Sequence, residues 1–479
     1  WHRAYRAKKS WPPRAARSFR PNDMKLNPSR PERGLSWMLP LAVRWFAALA
    51  LVAISGLPAI SVAADAAPLP APSPTGQRLF DGARDKLVQI RILTRAGSSQ
   101  STVGSGFLIA PDGTALTNYH VISLLVLEPQ RYRAEYVRVD GKRGEVSLLG
   151  FDVIHDLAVV KLDQINDAPH FRLRPDNTPL QQGEKIFSLG NPLDLGFAIS
   201  EGTYNGLVER RLYDMIHFTG ALNPGMSGGP ALDEAGRVIG VNVAGTGGEL
   251  ANLLVPLRYV SALIAAPRVK TLDKTVIASQ LTQHQDAMVK ALLAKPFPTQ
   301  ALGPTTVAVG DDKLLRCWGQ SNAKPDKPYR TESISCNLQS TLYIDQAFTT
   351  GWVSWNHTYR NADKLGALRF SAWHARSLAA ASILGAGNQK PTRYLSRPHC
   401  HEDFVTRPAT ATTAATALRV NMCVRAHREF VGLFDMTINA ATVDHSTEGL
   451  TSNMDVRGVT FENGNRLVRA FLEGSSWTK

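Results

Sequence analysis

Three residues of this chain, His120, Asp156 and Ser227, have the types and settings that let a hydroxyl act as a nucleophile. Ser227 stands in "NPGMSGGP" (223–230), where three glycines, two prolines and one hydroxyl crowd a short stretch. Alone, such a stretch is the ordinary vocabulary of turns. A serine becomes reactive only when a neighbouring base takes its proton and a third group orients that base. "LTNYHVI" supplies His120 after a strand-like run, and "HDLAVVKL" supplies Asp156 at the start of another. His120 would take the proton of Ser227 during attack on a carbonyl and return it to the leaving group, while Asp156 fixes the imidazole tautomer. His155, beside Asp156, is the poorer orienter, because a neutral imidazole lacks the charge that stabilises an imidazolium. The N–H groups of Gly225 and Ser227 are the expected donors to the oxyanion of a tetrahedral intermediate, with Pro224 restricting the turn. Gly228 and Gly229 are expected to let the chain pass close beneath the substrate.

These residues need rigid elements to hold them. From 77 to 265 the chain reads as short runs rich in Val, Ile and Leu broken by turn residues, for example "KLVQIRIL", "LAVVKL", "EKIFSLG" and "GRVIGVNVAG". That pattern predicts antiparallel strands in a barrel or a sandwich. Between 272 and 295, Ile277, Leu281, Met288, Val289, Leu292 and Leu293 recur at helical spacing before Pro296, so 266–299 reads as a helical linker. Residues 300–479 return to strand-like runs and form a second, strand-rich α+β region. Its tryptophans Trp318, Trp352, Trp355 and Trp373 are expected in a core. No internal repeat is legible.

The formal charge of +14 invites a nucleic-acid or membrane-surface partner. Residues 1–63, however, hold eleven Lys/Arg against Asp23 and Glu32, which leaves the rest of the chain only +5. That basic stretch fronts an apolar run, "WFAALALVAISGLPAI" (45–60), which ends in the small residues of "SVAADAA". Basic, apolar and small in that order is the pattern of a secretory signal, with cleavage expected near Ala63 or Ala64 and the start at Met24 or Met38. An uncleaved anchor is the alternative, against which stand the shortness of the run and its Gly56 and Pro58. Residues 64–76 follow as a Pro/Ala tether. The expected location is outside the cytoplasm, most readily the periplasm, with secretion or a signal anchor as alternatives, no lasting membrane span and no nucleic acid as partner.

Export makes disulfides the default for Cys317, Cys336, Cys400 and Cys423, an even set confined to the second region. Three connectivities exist, and the expected one is sequential, Cys317 with Cys336 and Cys400 with Cys423. A metal at "PHCHED" (398–403) is the rival, but no second ligand cluster of zinc-type spacing accompanies it. Neither a metal nor a cofactor is expected.

The segments "GSGFLIAPDGTALTNYHVI", "HDLAVVKL", "GNPLDLGFAISEGTYNG" and "NPGMSGGPALDEAGRVIGVN" resemble, in order, the signature segments of chymotrypsin-fold serine proteases, in particular the Deg/HtrA-like bacterial branch. The resemblance spans roughly residues 80 to 260. It implies a double antiparallel β-barrel with the site in the cleft between barrels, His120, Asp156 and Ser227 as the triad, and Gly225 on the oxyanion turn. It implies protein or peptide substrates and an acyl-enzyme, with a role in envelope protein quality control or processing. The chain departs from the pattern at Met226, where digestive relatives carry Asp and the Deg-like branch usually Asn. No PDZ-type peptide-binding loop is legible after residue 265. The position that carries Asp in trypsin-like pockets is Ala221, so small or medium aliphatic residues are expected there, walled by Val241, Asn242, Val243, Ala244 and Leu253. A catalytically silent binding protein on the same scaffold, acting through its C-terminal region, is the competing expectation.

Overall fold

Between Leu87 and Pro256 the apolar runs close into two antiparallel barrels, because each strand has one face that only a neighbouring sheet can bury. A computed structural model describes residues 73–477, apart from 176, 244–250, 268–270, 323–326, 380–389 and 412. The signal-like segment, residues 64–72 of the expected tether, and Ala244 lie outside the described residues.

Before the barrels comes helix α1 (Pro74–Ala83), with Pro74 in its first turn and the Ser73 hydroxyl accepting from the Gly76 backbone N–H at 2.9 Å. The end of the expected tether is therefore helical. The first barrel comprises β1 (Leu87–Thr94), β2 (Gln100–Leu108), β3 (Thr114–Thr117), β4 (Tyr132–Arg138), β5 (Arg143–Asp152) and β6 (Leu157–Leu162), ordered β1-β2-β3-β6-β5-β4. Helix α2 (Tyr119–Leu127) leaves β3 and returns to β4. The second barrel comprises β7 (Lys185–Gly190), β8 (Ala198–Leu207), β9 (Ile216–Phe218), β10 (Pro230–Leu232), β11 (Val238–Asn242) and β12 (Asn252–Pro256), ordered β10-β11-β12-β9-β8-β7. Phe107, Leu116 and Leu157 of the first barrel share one buried cluster with Phe187, Val241 and Val255 of the second. That shared core fixes the two barrels against each other.

Helix α3 (Leu257–Ala265) follows the second barrel and buries Leu257 and Val260 in the core shared by the two, and α4 (Lys274–Leu292) comes next. Ile277 and Leu281 of α4 are buried in the core of the first barrel, whereas Met288 and Val289 are buried in the core of the C-terminal region. Burial of such a side chain is worth about 1.5–3 kcal/mol, so a helix with two on each side is a fixed joint.

The C-terminal region has strands β13 (Thr299–Leu302), β14 (Thr305–Ala308), β15 (Leu315–Ser321), β16 (Arg330–Leu338), β17 (Leu342–Asp345), β18 (Phe348–Thr350) and β19 (Val353–Asn361). After α5 (Ala367–Ala379) come β20 (His399–Arg407), β21 (Thr416–Ala426), β22 (Phe434–Thr442), β23 (Glu448–Val459), α6 (Phe461–Glu473) and β24 (Ser476–Trp477). Seven of these form one antiparallel sheet in the order β15-β16-β19-β23-β22-β21-β20. Leu467 and Phe471 of α6 cover it over a core that contains Trp355 and Met454. Trp355 is in that core as expected, but Trp318 is 61% exposed on the edge strand, beneath the Arg316 guanidinium. Edge strands have a neighbour on one side only, and their outward residues need not be buried.

The disulfides pair Cys317 with Cys336 and Cys400 with Cys423. Each joins directly opposed residues, on β15 and β16 and on β20 and β21, so both outer strands of the seven-stranded sheet are stapled to their neighbours. Reduction is expected to destabilise the protein by about 2–4 kcal/mol per bridge. The measurement is denaturant unfolding with and without reductant, and a midpoint unmoved by reduction would contradict the stapling role. His399, Glu402 and Asp403 lie exposed along β20, and among the described residues no group of three or more side chains could hold a metal ion.

Candidate active site

His120 is the second residue of α2, preceded by Asn118 in extended conformation at the helix N-cap. Asp156 ends the turn between β5 and β6 with φ +56°, a left-handed conformation uncommon for a residue with a Cβ. The Asn118 side-chain amide donates to the Asp156 carbonyl at 2.8 Å and holds that turn. Both carboxylate oxygens of Asp156 are then used on one partner. Oδ1 accepts from the His120 backbone N–H at 2.8 Å and Oδ2 faces His120 Nδ1 at 2.7 Å. The backbone bond comes from the first turn of a helix, where N–H groups have no intrahelical partner. Burial works to lower the pKa of His120, but the Asp156 charge and hydrogen bond more than offset it, and the imidazole pKa lies above its ordinary value.

His155 has a separate carboxylate. Its Nδ1 lies 2.6 Å from Asp152 Oδ2 and its ring stacks on Tyr259 at 3.6 Å. The two adjacent residues are thus sorted by their partners, Asp156 to His120 and His155 to Asp152.

Ser227 lies between β9 and β10 and is buried. The Ser105 backbone N–H donates to the Ser227 carbonyl at 2.8 Å, and the Ser105 hydroxyl donates to the Gly225 carbonyl at 2.7 Å. Ser105 Oγ also accepts from the Asn191 N–H at 2.9 Å, and the Leu193 N–H donates to the Pro224 carbonyl at 2.8 Å. One residue of β2 therefore fastens the turn of the second barrel to the first. Sequence reasoning missed Ser105; its only local signal is its place between two glycines in "GSG".

Gly225 has φ +95°, and a Cβ there would lie 2.4 Å from the Asn191 carbonyl oxygen. Gly228 has φ +84°, and a Cβ there would lie 2.2 Å from the Ser105 carbonyl oxygen and 2.4 Å from Thr117 Oγ1. For the second of them the physical reason differs from the expected one. At Gly228 the missing side chain makes room for the first barrel, beside the segment that leads into His120, and not for a substrate.

The backbone donors of the turn divide into two groups. Met226, Gly228 and Gly229 donate to Asn223, Asn242 and Met226, at 3.0 Å each. The N–H groups of Gly225 and Ser227 have no hydrogen-bond partner among the described residues. Ser227 is buried and Gly225 half-buried, and unpaired backbone donors in the turn that carries a serine hydroxyl are what a developing oxyanion requires. No described residue forms a hydrogen bond with Ser227 Oγ or His120 Nε2. Met226 is buried, packed against the Gly190 backbone with its carbonyl held by Asn242.

The expected pocket residues divide. Ala221 is exposed, and Val243 and Leu253 are half-buried partners on adjoining chain segments, joined by the Val243 N–H to Leu253 carbonyl bond of 3.0 Å. Val241 is fully buried in the core shared by the barrels and cannot wall an open pocket. Asn242 is also fully buried, its amide engaging Ser188 Oγ and the carbonyl of Leu189, each at 2.9 Å. Its role is to support the Ser227 turn from behind.

Residues 104–241 match the family described as trypsin-like peptidase domain. The chain is 36% identical over 156 residues to protease Do-like 1, chloroplastic, of Arabidopsis thaliana, covering 29% of this chain and 33% of the plant protein. It is 33% identical over 161 residues to a probable periplasmic serine endoprotease DegP-like of Chlamydia pneumoniae, covering 32% and 31%. A putative serine protease HhoB of Synechocystis sp. is 36% identical over 152 residues, covering 29% and 34%. The match spans about a third of the length of these relatives.

Proposed function

We propose that this chain, whose double barrel is a chymotrypsin-fold serine protease domain of the Deg/HtrA branch, is an exported serine endopeptidase. The observation that carries the reading is the held His120–Asp156 pair together with the two unpaired backbone donors flanking Met226. A structural turn has no use for either.

Ser227 Oγ attacks a peptide carbonyl while His120 Nε2 takes its proton, and Asp156 stabilises the imidazolium. The carbonyl oxygen, now an oxyanion, is met by the N–H groups of Gly225 and Ser227. Collapse breaks the C–N bond, His120 hands its proton to the departing amine, and an acyl-enzyme on Ser227 remains. Water, deprotonated by the same imidazole, then releases the acid and restores Ser227. No metal or cofactor enters these steps.

The absence of an acidic side chain at Ala221 favours small or medium aliphatic residues in the primary pocket, beside Val243 and Leu253. The signal-like N-terminal segment and the relatives named as periplasmic support a place in the bacterial envelope, with unfolded or processed proteins as substrates. Among the described residues no helix is long and apolar enough to cross a membrane. The test is incubation of the purified protein with unfolded casein and with a fluorophosphonate. Cleavage of casein and a fluorophosphonate adduct on Ser227 are expected, and intact casein with no adduct would sink the reading.

A further inference from the structure

The C-terminal region reaches the catalytic helix. Leu342, Ile344 and Phe348 of the β17–β18 hairpin are buried in one cluster with Tyr119, Ile122 and Val126 of α2. The Tyr119 hydroxyl donates to the Ile344 carbonyl at 3.3 Å. The hairpin is itself held. The Asp345 carboxylate accepts from the Ala347 N–H at 2.8 Å and bonds the Tyr394 hydroxyl, while the Tyr394 ring stacks on Phe348 at 4.6 Å. At the other end of α2, Arg393 pairs with Glu128. The helix that presents His120 is therefore gripped at both ends by residues more than two hundred positions downstream.

Side chains alternate along a strand, so with Leu342 and Ile344 buried, Tyr343 between them points the other way. It does not point into open solvent. Its half-buried ring stands edge-to-face with the His120 imidazole, centroids 5.8 Å apart at 71°. Burial raises the pKa of the phenol, a hydrogen bond with Ser123 opposes it in part, and the charges of Asp345 and Asp156 add to the rise, so the group stays a neutral hydroxyl. The imidazole is only 23% exposed and Asp156 only 22%, and the phenol lies near enough to Asp156 to feel its charge.

We propose that Tyr343 is a positioning residue, by which the C-terminal region completes the active site: its ring confines the His120 imidazole and keeps water from the His120–Asp156 hydrogen bond. An imidazole free to rotate about its χ angles would spend part of its time away from Ser227, and water at Nδ1 would compete with Asp156. A ring packed on one side removes both alternatives. The inference rests on the endopeptidase reading only for its kinetic consequence, because the contact itself is a property of the resting protein.

The test uses the full chain with nitrogen-15-labelled histidine, in wild type, Tyr343→Ala and Tyr343→Phe, and reads the solvent exchange of the His120 Nδ1 proton by NMR. Tyr343→Ala is expected to exchange that proton about 10-fold faster and to lower kcat by about 3-fold to 30-fold with KM nearly unchanged. Tyr343→Phe, which keeps the ring, should restore both. If Tyr343→Ala does not fold, Tyr343→Leu, which keeps apolar bulk in the hairpin, carries the same expectation. Wild-type exchange and kcat in Tyr343→Ala, or a Phe variant as impaired as the Ala variant, would overturn the proposal. A wild type with a protected Nδ1 proton but no hydrolysis would instead sink the endopeptidase reading and leave the positioning contact standing.

Discussion

Ser227→Ala is expected to lower kcat on a peptide substrate by about a million-fold and to abolish fluorophosphonate labelling, with thermal stability unchanged within about 0.5 kcal/mol. The combination follows from how the residue is held. Everything that positions it passes through its backbone, since its carbonyl accepts from Ser105 and the neighbouring Gly228 N–H is bonded to Asn242. The hydroxyl has no hydrogen-bond partner among the described residues, so its removal orphans nothing. The Gly225 and Ser227 N–H groups persist in the alanine variant, and substrate binding should survive with the chemistry gone. Residual hydrolysis above the uncatalysed rate is expected from that oxyanion site. Labelling that persists in Ser227→Ala would show that another residue is the nucleophile.

Asp156→Asn is expected to lower kcat by about 10,000-fold near neutral pH. Asp156 accepts twice from His120, through the backbone N–H on Oδ1 and through Nδ1 on Oδ2. An asparagine that keeps the first bond with its oxygen must turn its NH2 toward Nδ1. The imidazole then carries its proton on Nε2 and cannot accept one from Ser227. The same substitution moves the pH profile. In the wild type the carboxylate raises the His120 pKa against the opposing effect of burial, so activity should fall on acidification with an apparent pKa above the usual imidazole value. With the charge removed, burial is left to act alone, and the remaining activity should titrate at lower pH. The measurement is kcat/KM against pH for both proteins. An acid limb at the same pH in both would mean that Asp156 is not the partner that tunes His120.

Much of the candidate site is legible in the sequence because its signals are local. The order His120, Asp156, Ser227 and the glycine turn sit in short segments whose residue types alone point to nucleophilic chemistry. The runs from 77 to 265 carry the apolar pattern of strands, and the spacing around Ile277 and Met288 marks a helix. Helix α2 was not legible. "YHVISLLVL" is apolar except at His120 and Ser123, and it shows no clear helical period because the barrel packs on it from one side and the 342–350 hairpin from the other. A helix enclosed all round looks in sequence like a buried strand.

The pocket residues show the same limit from another direction. Val241 and Asn242 neighbour Val243 in sequence, but β11 is covered on both faces, with Val241 in the core shared by the barrels and Asn242 bonded to Ser188 and to the Met226 carbonyl. The part played by Ser105 depends on the packing of β2 against a turn more than a hundred residues away. The sequential pairing of the cysteines was the expected one and is found, and its physical cause is strand register, which places Cys317 opposite Cys336 and Cys400 opposite Cys423.

The sequence by itself determined which groups are present, in what order, and on what kind of local element, because hydrophobic period and turn chemistry act over a few residues. Only the tertiary structure decided which of them meet. The Asp156 carboxylate closing on His120 from both oxygens, the two N–H groups left unpaired beside Ser227, and Tyr343 set against the imidazole all join segments far apart in the chain. Their meeting is fixed by how the barrels and the C-terminal sheet bury one another's apolar faces, and no local pattern of residues carries that information.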